Sequence, residues 1–171
     1  AEKLPALKRL SESNSQDMFV KEMLEYLAPL VMQTEILAAQ YDAVVANPPY
    51  MSSKGMDTEL KKFAKDQFVA AKSDLFACFI ERGFVLAKHS GHNAMVTMQS
   101  WMFLSSFQKM RERILRNKFV QSMVQIGFNS FPSMNSKIAL ATAFVIRNSE
   151  GSRYQGTYVN LNNAPESADK N

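Results

Sequence analysis

The chain has 171 residues, of which 46% are hydrophobic and 21% charged. That suits one domain of ~100–200 residues or a large piece of one, and it excludes a disordered or fibrous polypeptide. Lysine and arginine number 20 against 16 acidic residues, a net charge of +4 that leans toward a polyanionic partner without establishing one. The single cysteine, Cys78, has no partner for an internal disulfide, which argues against a secreted scaffold and a zinc site and for a reducing cytoplasm. No apolar run approaches the ~20 residues that span a bilayer, and the start lacks a secretory-signal layout, so a soluble protein with no membrane partner is expected.

In chain order, residues 1–40 form a predicted N-terminal helical segment. Ser11-Glu12-Ser13-Asn14-Ser15 is loop-like, and from Gln16 to Gln40 apolar residues such as Met23, Leu24, Leu27 and Val31 recur at helical spacing. The pattern predicts one amphipathic helix or two, with a kink or break just before Pro29. Tyr41-Asp42-Ala43-Val44-Val45-Ala46 then has the profile of a short buried strand, stopped by Asn47-Pro48-Pro49. Met51 to Val69 predicts a loop with a short helix. Ser73 or Asp74 can cap a helix running through Leu75, Phe76, Phe79 and Ile80 to Lys88, with Gly91 beyond its end.

Asn93 to Met98 is the next predicted strand, Ser105 or Ser106 to Asn117 the next helix, and Phe119 to Ile126 a further strand. This βαβαβ alternation calls for parallel strands. Between Phe128 and Lys137 lies a loop, after which Ile138 to Arg147 leaves no room for a crossover helix and is expected to return antiparallel beside its predecessor. The fold class is therefore α/β, a mostly parallel sheet with one antiparallel strand and flanking helices. Residues 41–148 make up this region. Residues 149–171 form a tail, or the start of another region, with one plausible strand from Tyr154 to Val159.

The chemistry concentrates in Asn47-Pro48-Pro49-Tyr50, because ligands of open α/β sheets bind at the carboxyl ends of strands. An adenine that reacts at its exocyclic amine must leave the duplex and be held by its Watson–Crick edge, with its face against an aromatic ring. The Asn47 amide oxygen and the Pro48 carbonyl are suitable acceptors for that amine, and accepting its protons makes the nitrogen lone pair more available. The prolines fix φ and remove backbone donors. Tyr50 supplies a stacking face. The plainer alternative is a strand-terminating turn with a tyrosine packed on the surface.

The stretch Tyr-Asp-Ala-Val-Val-Ala-Asn-Pro-Pro-Tyr resembles motif IV of S-adenosylmethionine-dependent N6-adenine DNA methyltransferases. With Lys-Ser-Asp-Leu-Phe and Ala-Met-Val-Thr-Met-Gln-Ser-Trp-Met-Phe-Leu, the chain from Tyr41 to Arg147 is similar to the PglX-type methyltransferases of BREX phage-defence systems. The resemblance implies a Rossmann-like methyltransferase fold, S-adenosylmethionine as cofactor, double-stranded DNA as partner, and contacts with other phage-defence components. It assigns target-adenine binding to Asn47, Pro48 and Tyr50. Asn47, Asp74 and Phe76 are implied at the cofactor, and Phe128 and Phe131 are candidates for an aromatic packing on the flipped base, with core packing an alternative for each phenylalanine. No metal is implied.

The family's Gly-rich cofactor motif has no counterpart, since the six glycines include no Gly-x-Gly. The resemblance therefore covers strands four to seven and implies the carboxyl-terminal half of the catalytic domain of a larger enzyme, inactive as an isolated piece. Strand 41–46 would then be an apolar edge, expected to pair with another copy or to be covered by helix 16–40 or the tail. Separately, Lys109, Arg111 and Arg113 on the last helix form either a DNA-phosphate face or an ordinary solvated one. Two rival functions remain at this level: an RNA-base or protein-glutamine N-methyltransferase, and a non-catalytic nucleic-acid-binding or assembly module.

Overall fold

The computed structural model describes residues 3–13, 17–127, 140–151 and 155–163. They fall into two compact units, Ala1–Gln40 and Tyr41–Asn171.

The first unit contains α1 (Leu4–Ser11) and α2 (Met18–Ala38). Asp17 caps α2 by accepting from the Phe19 N–H at 2.9 Å. A Lys8–Glu35 ion pair of 2.8 Å joins the two helices. The break expected before Pro29 does not occur: α2 is one helix that continues through it. A proline removes only its own N–H from the ladder, and here more than two helical turns lie on each side of it.

In the second unit, β1 (Tyr41–Ala46) leads through the proline turn to α3 (Thr58–Gln67) and α4 (Leu75–Leu86). β2 (Ala87–Met98), two short 3₁₀ turns (Gln99–Met102 and Ser105–Phe107), α5 (Gln108–Asn117) and β3 (Phe119–Gly127) follow. β4 (Ala141–Arg147) and β5 (Thr157–Asn160) complete the sheet. Strand order is β1-β2-β4-β3-β5. The β1–β2 and β3–β5 pairs are parallel, while β4 runs antiparallel to both of its neighbours, so four strands share one direction and one opposes them. β4 thus returns beside β3 as expected, and it does so by entering between β2 and β3.

Three details depart from expectation. β2 begins at Ala87 rather than Asn93, because the Asn148 side-chain amide donates to the carbonyls of Phe84, Ala87 and Lys88 and draws this segment into the sheet. A left-handed Ser90 (φ 64°) and a register shift between Tyr41 and Ala43 absorb the irregularity. The helix expected from Ser105 opens with a 3₁₀ turn, and α5 proper starts at Gln108. The tail strand extends the β3 edge, so it does not cover β1, which remains at the opposite edge of the sheet.

The core lies between the sheet and helices α4 and α5, where Phe76, Ile80, Met110 and Ile146 are fully buried. Gly83 brings α4 close to β2: a Cβ there would stand 2.6 Å from the Asn93 amide, which donates to the Ile80 carbonyl at 3.0 Å. Trp101 is buried in the core, its indole N–H on the Thr97 hydroxyl at 3.2 Å, and Cys78 is a buried residue of α4. Among the described residues no helix is long and apolar enough to cross a membrane.

Candidate active site

The turn after β1 presents a graded surface. Asn47 and Pro49 are exposed, Pro48 is buried, and Tyr50 is half-buried. Among the described residues no protein group hydrogen-bonds the Asn47 side chain or the Pro48 carbonyl; of the two residues, Asn47 is exposed and Pro48 is buried. Tyr50 is braced from below by Phe76, whose ring meets it edge-on at 6.1 Å between centroids and 86° between planes. The Tyr50 hydroxyl reaches the Val96 carbonyl on β2 at 3.5 Å, a long hydrogen bond. Burial pushes the phenol pKa up, so Tyr50 is a neutral ring at physiological pH.

The chain beyond Tyr50 is held against the start of α4. Met51 N–H donates to Asp74 Oδ1 at 3.0 Å, Leu75 N–H donates to the Met51 carbonyl at 2.9 Å, and Ser53 N–H donates to the Ser73 carbonyl at 2.9 Å. Ser52 and Asp74 form an antiparallel bridge. The same Asp74 oxygen caps α4 through Phe76 N–H at 3.3 Å. Burial raises the Asp74 pKa, opposed by the backbone N–H groups of Met51, Phe76 and Leu75.

Asn47, Pro48, Tyr50, Asp74 and Phe76 therefore belong to one neighbourhood at the carboxyl end of β1. Within it, Phe76 has no exposed surface and packs between Tyr50 and Phe107. The three cations of α5 have different surroundings. Arg111 donates to the carbonyls of Trp101 and Leu104, and Arg113 pairs with Glu81 at 2.9 Å. Lys109 is exposed. Phe128 and Phe131 lie outside the described residues.

One residue of this end was given no role from the sequence. Gln99, immediately after β2, is 7% exposed, and its Oε1 has no hydrogen-bond partner among the described residues. The signal was available: strand alternation places Gln99 in phase with the buried Asn93, Met95 and Thr97, a polar side chain entering the core where the strand ends.

Residues 3–131 match the family model of the Eco57I restriction-modification methylase. The chain belongs to that family. It is 45% identical over 155 residues to the adenine-specific methyltransferase BrxX of Escherichia coli O9:H4 (strain HS), a match covering 91% of this chain and 13% of that protein. It is 39% identical over 135 residues to the adenine-specific methyltransferase PglX of Lacticaseibacillus casei (strain Zhang), covering 79% and 11% respectively. The chain thus spans about an eighth of the length of these curated relatives. In three dimensions it is similar to a class I S-adenosylmethionine-dependent methyltransferase from Listeria monocytogenes, with TM-score 0.56 and 17% identity over 72% of this chain and 38% of that one. That likeness shows the fold alone. The sequence matches bear out the resemblance to PglX-type methyltransferases drawn from the motifs.

Proposed function

We propose that this chain forms the target-base part of the catalytic domain of an S-adenosylmethionine-dependent methyltransferase that modifies adenine N6 in double-stranded DNA. The setting is phage defence or restriction-modification, on host DNA in the cytoplasm. The observation that carries the proposal is the Asn47-Pro48-Pro49-Tyr50 turn, with two acceptors that have no partner among the described residues beside a braced aromatic ring, in a chain of the Eco57I family.

In this proposal a flipped adenine lies against Tyr50, and its amine donates to the Asn47 amide oxygen and the Pro48 carbonyl. Those acceptors orient the amine and polarise its N–H bonds, which makes the nitrogen more electron-rich; being neutral oxygens they take no proton, and the amine would lose one to solvent once its new bond to carbon has formed. S-adenosylmethionine, when bound, supplies the methyl group. The residues present fit one wall of such a cofactor site: Asn47 is exposed and polar at the point where base and cofactor would meet, whereas Phe76 offers no surface to either. Attack is direct. The chain's one thiol, Cys78, is buried in α4, and burial pushes its pKa up to about 11, which suits a reaction without a covalent enzyme intermediate. Phe128 and Phe131, outside the described residues, are the candidates for the aromatic that packs on the base from another side.

The test is Asn47→Ala in the full-length protein that carries this chain. Methylation of duplex DNA, measured as N6-methyladenine, is expected to fall by about 10²-fold or more while circular dichroism is unchanged, because an exposed polar group aimed at the reacting atom has been removed. Methylation close to wild type overturns the assignment. Methyl transfer to RNA or to protein glutamine, with none to DNA, keeps the chemistry and corrects the substrate.

A further inference from the structure

Asp74 lies beside the proposed base site, and its residue type and position match a stretch the family resemblance places at the cofactor. Its surroundings indicate another task. One carboxylate oxygen, Oδ1, receives two backbone N–H groups, Met51 at 3.0 Å and Phe76 at 3.3 Å. The first belongs to the residue immediately after the Asn-Pro-Pro-Tyr turn, and the second to the first turn of α4. Phe76 is also the ring that supports Tyr50. The residue as a whole is 9% exposed.

The backbone on both sides repeats the arrangement. Leu75 N–H donates to the Met51 carbonyl and Ser53 N–H to the Ser73 carbonyl, which pairs residues 51–53 with residues 73–75 in a short antiparallel bridge. The prolines leave positions 48 and 49 without N–H donors, so of the residues just after Asn47 only Tyr50 and Met51 have one, and it is Met51's that reaches Asp74.

We propose that Asp74 is a positioning residue: its carboxylate clamps the Asn-Pro-Pro-Tyr turn onto the N-terminus of α4, fixing Tyr50 over Phe76 and the Asn47 and Pro48 acceptors in place for the adenine amine. This rests on the function proposed above. The clamp needs an acceptor oxygen rather than a negative charge, because both donors are neutral amides. A residue that bound the cofactor through its charge would not share that property. Asparagine is also as good an N-cap as aspartate.

The experiment compares Asp74→Ala, Asp74→Asn and Met51→Pro in the full-length protein, reading three quantities. These are deuterium uptake of the peptide covering residues 50–55, kcat for N6-methyladenine formation, and the Kd for S-adenosylmethionine. Asp74→Ala is expected to speed exchange in that peptide and lower kcat about tenfold or more, since a small misplacement of the reacting groups suffices for such a loss. Cofactor Kd should stay within about twofold, because both interactions being removed are internal to the protein. Asp74→Asn is expected to restore exchange and kcat together. Met51→Pro deletes one donor and keeps the α4 cap on Phe76, so it should reproduce the Asp74→Ala result even if that variant proves too unstable to purify.

Loss of S-adenosylmethionine binding in Asp74→Asn equal to that in Asp74→Ala overturns the proposal and makes the carboxylate a cofactor ligand. Wild-type exchange in Asp74→Ala also overturns it, since the clamp would then be absent in solution. If the wild-type protein methylates no adenine, the functional assignment fails, and the exchange comparison still decides whether the clamp exists.

Discussion

The Asn-Pro-Pro-Tyr turn and helix α5 are both rich in groups that suit a DNA substrate, yet the fold treats them in opposite ways. At the turn, the backbone is fastened through Met51, Ser53 and Asp74, while the Asn47 side chain and the Pro48 carbonyl have no hydrogen-bond partner among the described residues. On α5, Arg111 donates to the carbonyls of Trp101 in the first 3₁₀ turn and of Leu104 just before the second, and Arg113, still largely exposed, pairs with Glu81. Residue type nominates a group for binding. Whether it is available depends on which internal partners reach it first, and a guanidinium with five donors beside open carbonyls is readily claimed.

The comparison breaks most severely if the support under the turn is removed. Phe76 is fully buried and touches Tyr50 and Phe107. Phe76→Ala is expected to destabilise the protein by about 3–5 kcal/mol, the usual cost of removing a buried aromatic ring. Denaturant unfolding measures it. A change below about 1 kcal/mol would show that Phe76 is not the packed floor of the turn.

The two kinds of cation on α5 separate in a paired experiment. Arg111→Ala should lower stability by about 1.5–3 kcal/mol, because charged hydrogen bonds to two carbonyls are lost, and it should leave the salt dependence of DNA binding unchanged. Lys109→Ala should leave stability within about 0.5 kcal/mol, and if that exposed ammonium meets a phosphate it reduces the salt slope of binding by about 1. The reverse pattern, with Arg111 setting the salt slope, would restore it as a phosphate contact and remove the contrast between the two regions.

Much of this division could be read in the residues. The strand ending at Asn47-Pro48, the run of parallel crossovers and the returning strand follow from period, proline chemistry and connection length, all of which are local; the burial expected of that first strand does not, since as an edge strand β1 has no buried residue. What the sequence concealed depends on residues far apart in the chain. Asn148 reaches back across about 60 residues to three carbonyls and lengthens β2. Arg111 looks in sequence like any other cation of a basic helix, and only its approach to the carbonyls of Trp101 and Leu104 shows its use. At Pro29, of the one helix or two that the pattern allows, the structure has one, since a single missing donor does not end a helix of 21 residues. The cap of α4 is Asp74, one of the two candidates, with Ser73, that the sequence offers, but the bond from Met51 that ties it to the turn spans 23 positions and has no sequence signal.

The smallest effect concerns Cys78, which sits one turn along α4 from Asp74. Burial is the main reason its thiol pKa is pushed up to about 11, and the nearby charges of Glu81 and Asp74 act in the same direction. At pH 8 the folded protein should therefore alkylate with iodoacetamide about a hundredfold or more slowly than the unfolded chain, whose thiol titrates near the ordinary 8.5. The sign of the linkage follows from a folded-state pKa that is raised for a group neutral when protonated. No stability is lost to this thiol below about pH 8.5, and stability declines as the pH rises from there toward 11. Cys78→Ala should flatten that alkaline decline, at the expense of a small cavity beneath α4. An equally steep decline in the variant would place the alkaline sensitivity elsewhere, and rapid native-state alkylation would mean that the start of α4, including the clamp on Met51, opens far more often than its hydrogen bonds imply.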